Sequence, residues 1–196
     1  MDLNEVFQNT SSKKSPASTV AVAFGTLVSG LGIGLTAVSL PFIFPFFRRV
    51  CLPYVPATDK QISNVLEALR GRSGTLIDLG SGDGRIVFAT AKKGFKSTGL
   101  ELNPWLVIYS KLTAYYLKLN GKTKFLKCDL WKFDLKPYNN VVIFGVDSMM
   151  EELEVKFLKE LEKDSYIIAC RFPLNNIKPI KTIGLGIDTV WVYEIK

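Results

Sequence analysis

Residues 75–87 read TLIDLGSGDGRIV, an apolar strand that runs directly into glycines at 80, 82 and 84, with a helix beginning at once behind them. That arrangement commits the chain to a strand, a tight turn and a helix whose first N–H groups are free to meet a ligand. The segments that follow alternate. The spacing predicts strands over 75–79, 97–101, 124–129, 140–146 and 166–172, and helices over 85–93, 105–119 and 151–162. The end, IKPIKTIGLGIDTVWVYEIK, reads as two strands around a Gly-rich turn. Ahead of the first strand, Thr58 and Gln61 match a capping box for a helix whose apolar face is Ile62, Val65, Leu66 and Leu69. The fold class is therefore α/β, a Rossmann-like, doubly wound parallel sheet with an antiparallel hairpin at one edge.

The loop itself narrows the ligand. Nicotinamide and flavin enzymes use GxGxxG around a pyrophosphate, whereas this chain has Gly80-Ser81-Gly82-Asp83-Gly84 with Asp78 in front. Two carboxylates beside a pyrophosphate would repel it. S-adenosyl-L-methionine has no phosphate and carries an ammonium and a sulfonium, so the sign of the charge favours it. Glu101, about 20 residues on at the end of the second strand, stands where ribose hydroxyls would be gripped. Asp129, ending the third strand, is placed for the adenine amino group, with Leu130 supplying backbone. Asp147, past the fourth strand, lies at the edge where a methyl group would leave, and is the candidate catalytic carboxylate. Trp105, Tyr109 and Trp131 are candidates to line the channel.

The chain has no histidine, which excludes Ser-His-Asp and Cys-His catalysis and any imidazole base. Its three cysteines, Cys51, Cys128 and Cys170, have no CxxC spacing, and neither a disulfide framework nor a metal site is expected. Methyl transfer fits these absences, because an activated sulfonium needs alignment and water exclusion more than acid–base help.

From Val20 to Phe47 no residue is charged, with Lys13 and Lys14 before the run and Arg48 and Arg49 after it. A bilayer core takes about 20 apolar residues as a helix, so residues 18–49 are expected to be a transmembrane anchor, with Gly30 and Gly34 as a GxxxG step. Residues 1–17 are expected to be disordered, 51–56 an extended linker, and 50–196 the catalytic domain. The net charge of +7 is spread along the chain and alone selects no partner. A nucleic-acid methyltransferase would show an Asn-Pro-Pro-aromatic signature after the fourth strand, which this chain lacks, and no nucleic acid is expected. A scaffold that binds the cofactor without turnover is the other alternative.

These residues resemble a family of membrane-anchored mitochondrial protein-lysine methyltransferases that act on the ATP synthase c subunit and on the ADP/ATP carrier. The likeness is carried by VCLPYVPAT (50–58), IDLGSGDGRIV (77–87), GLELNPWLV (99–107), DLWK (129–132), IACRF (168–172) and GIDTVWVY (186–193). IDLGSGDG marks only the broad class I methyltransferases with a seven-strand sheet; the other blocks are narrower. The resemblance implies cofactor contacts at Asp78, Gly80, Gly82, Glu101, Asn103 and Asp129. It implies an integral membrane protein as acceptor and the inner mitochondrial membrane as location, with the domain facing the matrix, and the c-subunit enzyme looks the closer member. The chain departs from the pattern at Asp147-Ser148, where a Pro-Gln pair is expected, and after Phe172-Pro173.

Overall fold

The computed structural model describes residue 26, residues 28–36 and residues 55–196. The chain divides into two units, Met1–Val50 and Cys51–Lys196. In the first unit residue 26 and residues 28–36 are helical, with Val28, Leu31, Ile33 and Leu35 exposed and open space around Gly30 and Gly34. Nine helical residues rise about 13 Å, less than half of a hydrocarbon core of about 30 Å. Among the described residues no helix is long and apolar enough to cross a membrane. The remainder of the expected anchor, the polar N-terminus and most of the linker lie outside the described residues.

The second unit opens with helix α1, Asp59–Ala68. Thr58 caps it as predicted, its hydroxyl accepting from Gln61 N at 3.0 Å. Gln61 does not complete the capping box, however. Its amide donates to Ile187 O at 3.1 Å, and Asn64 donates to Asp188 O at 2.8 Å. The inner face of α1 is therefore Gln61, Asn64, Val65, Ala68 and Leu69, while Ile62 and Leu66 are half-buried. The expected apolar face is rotated because the carbonyls of the Gly-rich turn need donors and the two amides supply them.

Seven strands form one sheet: β1 Thr75–Leu79, β2 Lys96–Glu101, β3 Thr123–Lys127, β4 Asn140–Phe144, β5 Tyr166–Cys170, β6 Lys181–Ile183 and β7 Val190–Glu194. Their order is β3-β2-β1-β4-β5-β7-β6. The first five are parallel, and β7 runs antiparallel between β5 and β6. Helices α2 (Arg85–Lys92), α3 (Pro104–Tyr116) and α4 (Asp147–Glu160) make the crossovers. Strand alternation sorts the core into two layers. Ile77, Leu79, Val141 and Ile143 meet Met150, Leu153 and Phe157 of α4 on one face. Leu76, Val142 and Ile168 meet Val65 and Leu69 of α1 on the other.

Several boundaries move, each for a local reason. The third strand stops at Lys127, short of the expected 129, because Asp129 caps a 3-10 turn over Leu130–Lys132. The fourth stops at Phe144, not 146, because α4 starts at Asp147, four residues earlier than expected. The fifth stops at Cys170, since Arg171 takes a φ of 71° that no strand accommodates. Helix α3 ends at Tyr116 rather than 119, with Lys118 at φ 55°.

Candidate active site

Between β1 and β4 the order of the sheet reverses, which opens a crevice at the carboxyl ends of the strands. The loop from Gly80 to Gly84 lies there. Its backbone is pinned to β2, with Gly80 N and Ser81 N both donating to Leu100 O at 2.9 and 2.8 Å. Gly84, the N-cap of α2, has φ 83°, and a Cβ on it would stand 2.8 Å from the Phe125 ring. Gly99 lets the loop sit down on the sheet, because a Cβ there would meet Ser81 Oγ at 2.6 Å. Close backbone approach, more than turn geometry alone, requires glycine at both positions.

Glu101 braces this loop. One carboxylate oxygen accepts from Gly82 N at 3.0 Å and the other from Asn103 N at 2.8 Å. Each oxygen keeps a second lone pair, so the carboxylate is held in place with acceptor capacity left over. Asn103 also caps α3, its side chain accepting from Trp105 N at 3.0 Å. Asp129 accepts from Trp131 N at 3.1 Å, which is the same capping task at the end of β3. Leu130, half-buried beside it, packs against the core. Ser110 reaches back from α3 to Gly82 O at 3.3 Å.

Asp78 is 2% exposed at the end of β1, and its Oδ1 has no hydrogen-bond partner. Burial, then the Glu101 and Asp83 carboxylates, push its carboxyl up to about 8. Asp83 has a partner of its own at the end of the loop. It is gripped by Arg85, whose Nη2 and Nε approach its carboxylate at 2.7 and 3.0 Å. The ion pair with Arg85 largely neutralises Asp83, and Asp78, whose proton is held by burial, becomes a counter-charge only once it ionises. Arg85 also donates to Ala57 O, fastening the chain before α1 to the loop.

Arg171 carries no signal in its residue type. It follows β5 at φ 71°, its guanidinium carbon lies 4.7 Å from the centre of the Phe144 ring, and its Nε is buried without a partner. Asp78 Oδ1, Ser81 Oγ and Arg171 Nε are the buried side-chain polar atoms without a partner among the described residues. All three lie at the carboxyl ends of β1 and β5, where a polar ligand would satisfy them. Nothing lies within 4 Å of the position a Gly80 Cβ would take, which leaves the loop open there. Asp147 and Ser148 are exposed in the first turn of α4, where a carboxylate also suits the helix dipole. Trp105 and Tyr109 are exposed on α3, whereas Trp131 is half-buried against the core.

A seven-strand sheet with an inserted antiparallel strand and a Gly-rich loop at its switch point defines a class I, Rossmann-like methyltransferase. Residues 78–181 match the model of the ANTKMT methyltransferase domain, and the chain belongs to that family. The human lysine N-methyltransferase of the ATP synthase c subunit is 55% identical over 168 residues, covering 86% of this chain and 72% of that one. The mouse adenine nucleotide translocase lysine N-methyltransferase is 40% identical over 172 residues, covering 85% and 75%. Among solved structures, an RNA methyltransferase from Salinibacter ruber in complex with S-adenosyl-L-homocysteine is 28% identical with a TM-score of 0.68 over 72% of this chain and 94% of that one. The chain is thus closer to the c-subunit enzyme than to the translocase enzyme, as the sequence blocks indicated.

Proposed function

We propose that this protein transfers methyl groups from S-adenosyl-L-methionine to a lysine of the ATP synthase c subunit, at the inner mitochondrial membrane. The observation that carries the reading is the set of unsatisfied buried polar atoms at the carboxyl ends of β1 and β5, together with a glycine loop braced by Glu101. The sequence relatives supply the acceptor class.

The residues fit the cofactor. Asp78 offers a buried carboxyl as counter-charge to an ammonium, and Glu101 offers paired oxygens for ribose hydroxyls. Gly80, Ser81, Gly82, Asp83 and Gly84 form the wall between them. Asn103, Asp129 and Leu130 form the side toward the adenine. When bound, S-adenosyl-L-methionine supplies a methyl group already activated on a sulfonium. The chain has two further tasks, to hold the acceptor amine in line and to keep it uncharged. A lysine amine ordinarily holds its proton up to a pKa of about 10.4. The Arg171 cation at the strand ends favours the neutral amine, while Asp147 at the start of α4 orients the amine at the cost of stabilising its charge.

Residues 18–49 serve as the membrane anchor, with the catalytic domain on the matrix side. The uncharged run from Val20 to Phe47 and its basic flanks support this. Tethering raises the effective concentration of acceptors in the same bilayer. The test is the intact mass of the c subunit from cells lacking the protein, complemented with wild type or Glu101→Ala. Added methyl mass is expected with wild type only. A c subunit of unchanged mass in both, or methyl mass on the ADP/ATP carrier instead, would overturn the acceptor assignment.

A further inference from the structure

Helix α3 is built inside out. Its buried side is made of small or short residues, Val107, Ser110 and Ala114, which pack on β2 and β3. Its outward side is Trp105, Ile108, Tyr109, Leu112, Tyr115 and Tyr116, all exposed, with Tyr115 at 71% and Tyr116 at 81%. On a period of 3.6 these six fall on one stripe opposite the core. A soluble surface helix places its charges there, and a contiguous apolar stripe in their stead marks an interaction face.

The charge around the stripe identifies what covers it. From Leu102 to Cys128 the chain contains no acidic residue and five lysines, Lys111, Lys118, Lys122, Lys124 and Lys127, every one of them exposed. One hollow lies past the C-terminal end of the helix and one along its side. Lys92 and Lys93 line the first with Leu117, and Lys111 and Lys124 line the second with Tyr115. Aromatic rings with a polar tip and an apolar body, bordered by flexible lysines, are the side chains that settle at the level of lipid headgroups. An anionic bilayer is complementary to both features at once, since the rings enter the acyl boundary and the ammonium groups meet the phosphates.

We propose that the outward face of α3 is a peripheral membrane-docking surface for anionic phospholipid. It is separate from the N-terminal apolar segment and does not depend on which acceptor the enzyme uses. Because α3 begins just past its cap Asn103, two residues beyond Glu101, docking this face would set the rim of the cofactor cleft near the headgroup layer.

The test must report on α3 alone, since the full chain can enter vesicles through its N-terminus. Emission of Trp105 is isolated as the difference between wild type and Trp105→Phe in full-length protein reconstituted with brominated lipids. Tyr116→Trp adds an independent reporter at the far end of the helix. Docking predicts that both reporters are quenched in phosphatidylcholine vesicles containing phosphatidylglycerol. Quenching should weaken several-fold in added salt and in the combined Lys111→Glu, Lys118→Glu and Lys122→Glu variant, with S-adenosylhomocysteine binding retained. Reporters that stay unquenched in the reconstituted protein would overturn the proposal. So would quenching of equal strength in vesicles of phosphatidylcholine alone, or emission changes that track protein concentration in place of lipid, as a second copy on this face would give.

Discussion

Asp78 sits at the end of β1 with one oxygen unpartnered, and its carboxyl is pushed up to about 8 from an ordinary value of 3.8. Between those values the folded chain holds a proton that the unfolded chain has released. Stability of the cofactor-free protein should therefore fall as pH rises from about 4 through about 8. Urea unfolding of Asp78→Asn should lack that decline. Binding of S-adenosylhomocysteine, whose ammonium pairs with the ionised carboxylate, should strengthen over the same range in wild type and stay flat in the variant. Glu101→Ala should weaken that binding by roughly 10- to 100-fold, the scale of about 1.5–3 kcal/mol for bonds to a charged group, as calorimetry would read. It should also lower the thermal midpoint of the free protein, because Gly82 N and Asn103 N lose their acceptor. Asp78 and Glu101 are legible in the sequence because each ends a strand at a fixed spacing around the glycines. The fate of Asp83 is not, since only the turn through Gly84 swings Arg85 back onto it. Arg171 is equally silent, because a positive φ at arginine has no signature in residue type.

The elements are legible where hydrophobic period is strong and less so where capping decides. Five parallel strands and the terminal hairpin follow from the alternation of apolar runs, and each helix lies where the period places it. The ends differ because Asp129 caps a 3-10 turn with its side chain and Arg171 leaves its strand at a positive φ, neither of which periodicity encodes. Helix α1 falls where predicted but is turned, because Gln61 and Asn64 point inward to serve the 184–189 turn. At this scale the loop depends on how closely β2 lets it approach. Gly99→Ala would put a Cβ 2.6 Å from Ser81 Oγ and 2.8 Å from Phe125 Cδ1. Overpacking of this kind costs about 1–3 kcal/mol, so denaturant titration should show a loss of that size. Cofactor-product affinity should fall with it, since Ser81 is displaced with the loop. Substitution to alanine at Gly121, around which nothing lies within 4 Å, should leave both properties near wild type.

In the molecule as a whole, the division at Val50 separates an apolar N-terminal unit from a sheet that already contains every residue of the proposed site. The sheet's switch point is legible in the sequence, and with it the location of the crevice, because strand order in an alternating chain is tightly restricted. The membrane relationship is legible only as composition. Removing residues 1–50 should leave S-adenosylhomocysteine affinity unchanged within about twofold. Methylation of membrane-embedded acceptor should fall by roughly 10²- to 10⁴-fold, the advantage that tethering confers, measured as initial rates on isolated membranes. The central claim is methyl transfer to a lysine of a membrane protein, and purified full-length protein with tritium-labelled S-adenosylmethionine tests it most directly. The acceptor would be mitochondrial membranes from cells lacking the protein, with Glu101→Ala as the comparison. A labelled band at the mass of the c subunit, its label recovered as methyl-lysine and absent with Glu101→Ala, is the result expected. Full cofactor binding with no label in any membrane protein would contradict the account.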